Sequence, residues 1–210
     1  GIVVMTEFVL KDGSRLHGTI EREAADEITF RTPAGATVTV RRGDIVSMKE
    51  IEGRMEEGEF FRSDKHFTRL FFAPTGRSLP RGRVSFGMFG YMMPFLQVGD
   101  TDRFSIGGGT PFMFGFDESE RPFWITPKFQ VIDRESTQMA VGALHMIASG
   151  ESIGIAYAVG TPGRPDAAAT FGVGYAYTDD GSRGAVVMVG GERRVRNNLK
   201  LISENYIWNG

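Results

Sequence analysis

Large apolar side chains alternate with Gly, Ala, Ser or Thr along most of the chain after Arg83. In 152–160, Ile153, Ile155, Tyr157 and Val159 occupy every second position, with Ser152, Gly154, Ala156, Ala158 and Gly160 between them. In 167–177, Phe171, Val173, Tyr175 and Tyr177 alternate with Thr170, Gly172, Gly174 and Ala176. Side chains alternate across a strand with period two, so each stretch predicts a strand with one bulky apolar face and one small face. The pattern predicts long strands at Arg83–Phe95, Asp102–Met113, Pro122–Asp133, Thr137–Ala148, Ser152–Thr161, Ala167–Thr178, Gly184–Val195 and Leu199–Trp208. Turn-rich connections join them: Asp133–Ser136, Ser149–Glu151, Thr161–Asp166, Asp179–Ser182 and Arg196–Asn198. Connections this short make consecutive strands antiparallel. The expected product over residues 82–210 is a meander β-barrel of about eight strands, each near the 9–11 residues that cross a bilayer when tilted.

A soluble sheet with one solvated face carries Lys, Glu and Arg on it. Here that face is small, which favours a barrel with lipid outside and a crowded lumen inside. The expected lipid-facing rows are Val84, Phe86 and Met88; Phe123, Ile125, Phe129 and Val131; Val141 and Ile147; Ile153, Ile155, Tyr157 and Val159; Phe171, Val173, Tyr175 and Tyr177; and Val187 and Val189. Trp124, Thr126, Lys128 and Gln130 fall on the opposite row, as do Gly172, Gly174, Ala176, Glu192 and Arg194. Tyr91, Phe95, Tyr177, Tyr206 and Trp208 sit near strand ends, where interfacial aromatics belong. The rival reading turns the same bulky residues into a soluble core. Pro127 in mid-strand, which calls for a bulge, and His145 on an apolar row keep that rival open.

The chain before residue 82 has a different chemistry, holding 26 of the 50 charged residues. Five short strands are expected there: Glu7–Lys11, Arg15–Arg22, Glu27–Thr32, Thr37–Arg41 and Ile45–Glu50. Asp12-Gly13 and Ala34-Gly35 supply the turns. Phe8, Leu10, Leu16, Ile20, Ile28, Phe30, Val38, Val40, Ile45 and Met48 alternate inward. The run Leu10–Ile20, with Phe30–Gly35 and Gly43–Val46, resembles the Sm-like or SH3-like small barrel, which implies an adaptor domain with a possible protein partner. The expected division is a small β domain at 1–52, a charged connector and pre-barrel segment at 53–81, and the barrel at 82–210. Glu50–Glu59 reads as a helical or irregular connector.

Composition narrows the chemistry. A net charge of −2 and a pI near 6.0 lack the basic excess of a nucleic-acid footprint. With no cysteine, disulfides and thiolate chemistry are excluded. His17, His66 and His145 lie in different expected elements without metal-ligand spacing, and no Gly-x-Ser-x-Gly elbow occurs. Asp100–Asp102 precedes Gly107–Gly109, but these glycines lie within a strand rather than opening a helix, so they read as a bulge or as room for a crowded lumen. Glu56-Glu57 and Asp179-Asp180 read as solvated loop charges. No cofactor, metal site or catalytic set is expected.

Two groups remain as candidate sites. Lys128, Glu192, Arg194 and Glu204 form a candidate polar cluster in the lumen. Arg69, Phe71, Phe72, Arg77 and Arg81, in the Arg/Pro-flanked run 69–81, form a candidate plug or docking segment.

Several segments together resemble a family of uncharacterised bacterial envelope proteins, in which a small N-terminal β domain precedes an outer-membrane-like barrel. They are Thr68–Leu79, Val98–Gly109, Thr126–Lys128, Tyr157–Gly163, Gly190–Arg194 and Leu201–Tyr206, in that order. The resemblance implies an outer-membrane location with a periplasmic N-terminal domain, and it supplies no catalytic residues. Chains of this family continue with further strands past the segment matching Ser203–Asn205, which leaves either a small barrel or further residues beyond Gly210. The expected role is non-enzymatic and structural, as an anchor with a lipid bilayer around it. The alternative is a soluble or peripheral accessory subunit whose apolar face meets a membrane-protein complex.

Overall fold

The computed structural model describes residues 3–56, 59–64, 66–90, 92–111, 121–196 and 199–209. Tyr91, Glu57, Met113 and the Asn197-Asn198 turn lie outside the described residues, as do the side chains of Glu56 and Ser182. The described chain is all-β, with one short 3-10 turn, and forms two antiparallel sheets. It divides into two compact units, residues 1–64 and 65–210.

The first unit holds β1 (Val3–Leu10), β2 (Arg15–Glu23), β3 (Glu27–Arg31), β4 (Thr37–Arg41), β5 (Ile45–Glu56) and β6 (Glu59–Arg62), in the order β4-β3-β2-β1-β5-β6. Asp12-Gly13 turns β1 into β2, where Gly13 adopts a φ of 85° that L-residues rarely reach. Phe8, Ile28 and Phe30 are fully buried, with Leu16, Ile20, Val38, Val40 and Ile45 around them. The Phe8 and Phe30 rings stack at 4.3 Å. The core is the one the alternation predicts, except that Met48 is exposed and the half-buried Leu10 is not part of the cluster. The strand count differs from the expected five. The charged segment Glu50–Glu59 is not helical or irregular, because β5 runs on to Glu56 and β6 returns along it. Met5, Ile51 and Phe60 make this extension worthwhile, burying a second small cluster on the face opposite Phe8.

The second unit is one sheet of nine strands: β7 (Val84–Phe89), β8 (Met93–Gly99), β9 (Phe104–Gly109), β10 (Phe123–Arg134), β11 (Thr137–Ala148), β12 (Glu151–Arg164), β13 (Ala167–Thr178), β14 (Gly181–Arg196) and β15 (Leu199–Asn209). Each pairs with the next, giving a meander curled into a half-barrel. Of the expected barrel of about eight strands, the antiparallel meander is present, with two differences in detail. Nine strands are described, because the run expected as one strand at Arg83–Phe95 is a hairpin, turned where Gly90 takes a φ of 59°. The sheet is also open, since among the described residues no ladder joins β7 to β15. Pro127 does not break β10. Thr126 and Pro127 pair with Gly107 and Ile106 of β9 but not with β11. The β11 register is the same on either side, Ile125 with His145 and Lys128 with Gly142, and the bulge falls later, between Gln130 and Ile132.

Candidate functional site: a strapped inner face and an apolar outer face

Directly paired residues of an antiparallel ladder share a face, so the register sorts every strand of the second unit into inner and outer rows. Trp124, Lys128 and Gln130 of β10 are buried, and Gln130 pairs with Ala140, Ala140 with Val159, Val159 with Gly172, Gly172 with Met188 and Met188 with Tyr206. This is the inner face. The outer rows include Val84, Phe86, Ile125, Phe129, Val141, Phe171, Val173, Tyr175, Val187 and Val189, as expected from the alternation. β12 is the exception. Its bulky row, Ile153, Ile155, Tyr157 and Val159, lies on the inner side, and Ala156 and Ala158 face outward. The expectation of a lipid-facing bulky row is therefore corrected for this strand.

The inner face is covered by residues 67–79, which form a strap. A tight hairpin begins it, with Leu70 N–H bonded to Ala73 O at 2.9 Å and Thr75 N–H to Thr68 O at 3.0 Å. Leu70 and Ala73 enter a core with Ala140, Val159 and Met188. Gly76 is required by proximity, since a Cβ there would lie 2.3 Å from Gln138 O. Its N–H donates to Thr161 Oγ1 at 2.9 Å. Gly109 serves similarly on β9, where a Cβ would lie 2.6 Å from the Trp124 ring.

The strap brings most of the candidate residues together. Arg77 is buried, donating through Nη1 to Glu192 of β14 and through Nε to Gln138 Oε1 at 3.3 Å. Lys200 Nζ donates to the second Glu192 oxygen at 2.6 Å. Lys128 Nζ donates to Thr68 O at 2.9 Å. Glu204 accepts the N–H groups of Phe71, Phe72 and Ala73 at 2.8, 3.1 and 3.2 Å, and the Tyr206 hydroxyl donates to it at 2.6 Å. Three consecutive backbone donors around one carboxylate form an anion-holding nest. Arg69 lies over the rings of Phe89 and Phe95, 4.6 and 4.0 Å from their centroids, and Phe72 stacks on Phe89 at 4.8 Å. The hairpin tip thus reaches both edge strands, β15 through Glu204 and β7 through Phe89.

Two candidates stand apart. Arg194 pairs with Asp166 at the turn between β12 and β13, at 2.6 Å. Arg81 lies in the turn after the strap, where its N–H donates to Asp102 Oδ1 at 3.2 Å. Gln138, Thr161 and Lys200 were not singled out from sequence, although Gln138 and Thr161 share an inner rung. Their signal was polarity within otherwise apolar strands.

The outer face is apolar and open. Val84, Phe86, Leu96, Ile106, Phe129, Val141, Val173, Val187, Leu201 and Ile207 lie between 39% and 68% exposed. Among the described residues, Asp, Glu, Lys and Arg reach this face only beside turns, as Arg134, Arg164, Arg193 and Arg196, all at one end of the strands. His145 also faces outward, stacked on Tyr177 near the opposite end, with Nδ1 3.2 Å from the Tyr177 hydroxyl. Beside it Asp179 accepts hydrogen bonds from the Ser152 hydroxyl and N–H, which hold its carboxyl below the ordinary value of 3.8.

The first unit has a polar cluster of its own. Glu7 is buried and meets Arg62 at 3.0 Å, His17 at 3.3 Å and Arg15 at 3.7 Å. Burial pushes its carboxyl up, but the His17 hydrogen bond and the Arg62 charge outweigh this and leave it below the ordinary 4.5. Among the described residues no group of three or more His, Cys, Asp or Glu is placed to hold a metal ion. No family model, curated protein or solved structure matches the chain.

Proposed function

We propose that the chain is a non-enzymatic cell-envelope protein whose second unit is an outer-membrane-type β structure anchoring the first, a periplasmic adaptor. One observation carries this reading: among the described residues the outward rows are exposed and free of Asp, Glu, Lys and Arg through the strand middles, with Ser203 and Asn205 of β15 the polar positions among them, while Lys128, Glu192 and Glu204 turn inward beneath the strap. In hydrocarbon an outward polar group has no partner, so lipid selects for this distribution. The strap fills the concave side, which argues for a scaffold rather than a conduit. The strand order β4-β3-β2-β1-β5 around the Phe8–Phe30 core supports reading the first five strands as an SH3-like or Sm-like barrel, with β6 an added edge strand.

A second reading is favoured by the open edges. Unpaired backbone at β7 and β15 is costly in lipid, and a partner protein lying on the outer face would relieve that cost. The chain would then be a peripheral accessory subunit of a membrane complex. Size-exclusion chromatography of the purified full chain, with and without detergent, separates the two. The bilayer reading expects aggregation on detergent removal and recovery on return to lipid. A monodisperse, detergent-free chain refutes it.

A further inference from the structure

We infer that the arginine-lined end of the outer face is a binding site for the phosphate of anionic lipid headgroups, an inference that rests on the membrane reading. Arg164 of β12 pairs directly with Ala167 of β13, and Ala167 with Arg193 of β14. Both arginines are exposed and occupy one rung, two strands apart. At about 4.8 Å per strand their Cα atoms are roughly 10 Å apart, a span that two long guanidinium side chains close around a single phosphate.

The floor between them is small. Ala167 lies on the rung, with Ala169 and Gly191 paired next along the same face. Beyond that floor the outer row becomes apolar at Phe171 and Val189, which also pair. A headgroup held by the arginines would therefore lay its acyl chains along apolar surface. Of the carboxylates at this end, Asp166 is engaged by Arg194 at 2.6 Å, and the exposed Glu135 lies in the neighbouring turn, whose Ser136 carbonyl accepts the Gly163 N–H. Arg134 and Arg196 face outward at the same end and extend the positive rim. At the opposite end the described turns carry Glu151, Asp179 and Asp180, whereas Arg134, Arg164, Arg193, Arg194 and Arg196 outnumber Asp133, Glu135 and Asp166 at the arginine end, so the charge asymmetry gives the sheet a preferred sense in the bilayer.

Guanidinium groups fork onto phosphate oxygens with matching geometry. Each basic residue near an anionic lipid surface adds roughly five-fold in affinity, so two arginines on one headgroup give a preference of about 25-fold. The test uses the full chain in a neutral detergent, titrated with short-chain phosphatidylglycerol or phosphatidylcholine and read by native mass spectrometry. Wild type is expected to bind phosphatidylglycerol at least ten-fold tighter. Arg164→Gln/Arg193→Gln removes that preference, as does Ala167→Glu, which sets a carboxylate between intact arginines. Inorganic phosphate at the same concentrations is expected not to compete, because it lacks the acyl chains.

Equal binding of the two lipids by wild type, or a preference that survives in both variants, overturns the site. Competition by inorganic phosphate overturns the assignment to lipid. If the chain needs detergent yet shows no preference, this inference alone fails. If it stays monodisperse without detergent and binds neither lipid, the membrane reading fails first.

Discussion

The Arg77–Glu192 pair tests whether the strap is an integral part of the second unit. The Glu192 side chain is fully buried and that of Arg77 is 5% exposed. Removing one member of such a pair leaves a buried charge, which costs about 3–5 kcal/mol. In Arg77→Met, Lys200 still neutralises Glu192 from 2.6 Å, which places the loss at the lower end, about 3 kcal/mol. Glu192→Leu strands Arg77 and costs a similar amount. Arg77 is already imperfectly satisfied, since its Nη2 has no hydrogen-bond partner among the described residues. Replacing both partners removes two desolvated charges together, so Arg77→Met/Glu192→Leu should lie within about 1 kcal/mol of wild type. Lys200, at 16% side-chain exposure, can then turn to solvent.

The cycle therefore predicts a coupling energy on the order of 5 kcal/mol, far beyond the 0.5 kcal/mol within which independent sites add. Denaturant unfolding of the full chain in its solubilising condition measures it. Trp124, buried on the inner face, reports the exposure of that face by fluorescence. Additive single losses, or an Arg77→Met variant within 0.5 kcal/mol of wild type, would show that the strap rests on the sheet without being held by this pair.

Three further outcomes follow from named contacts. Gly76→Ala forces a Cβ onto the Gln138 backbone at 2.3 Å; the strap must lift, costing about 1–3 kcal/mol and speeding proteolysis within 67–79, and unchanged cleavage would refute the close approach. Ala156→Arg puts a charge at the middle of the outward row of β12 and should cost about 2–4 kcal/mol in a bilayer, whereas Ala156→Leu inserts normally; equal insertion into vesicles by both variants contradicts the lipid-facing assignment. In the first unit, the Glu7 carboxyl sits below its ordinary 4.5, so its contribution is fully present above that pH and is lost as pH falls through the depressed folded value. Glu7→Gln should flatten the stability of this unit in that acid window, read by circular dichroism, and an unchanged acid slope would assign the dependence to other groups.

Much of the first unit was legible because its signals are local. The Asp12-Gly13 turn sets a register in which residue numbers across the hairpin sum to a constant, and that register places Phe8 opposite Leu16 and Glu7 opposite His17. The acidic partner of His17 was therefore readable from the turn, although spacing along the chain hides it. The β5–β6 hairpin was hidden because Glu50–Glu59 is dense in charge. Its stabilising contacts, Met5 with Ile51 and Phe60, alternate on the face opposite the main core. In the second unit, Lys128 and Glu192 could be placed on one interior by alternation, whereas the last strand, which carries Glu204, alternates ambiguously. Arg77, the partner of Glu192, could not, because it lies 115 positions from Glu192 in a segment without periodicity.

The inversion of β12 has a cause that the individual strand does not carry. Alternation separates two rows but is silent on which row faces in, and bulk alone suggests that neighbouring strands turn their large side chains the same way. The register shows the opposite arrangement. Inside, Tyr157 lies against Gly174 and Val159 against Gly172; outside, Ala156 lies against Tyr175 and Ala158 against Val173. Large meets small on both faces, which fills each rung without crowding it. Turning β12 over would set Tyr157 and Val159 among Val141, Val173 and Tyr175 on the outside. It would also take Val159 out of the core that Leu70 and Ala73 form with Ala140 and Met188, leaving that core without a bulky side chain from β12 or β13. The strap therefore needs bulk from β12 because β13 offers only glycine there. The inner face of this sheet is shaped by what covers it, and that makes Ala156, rather than Ile155, the position where a charge meets the outer surroundings.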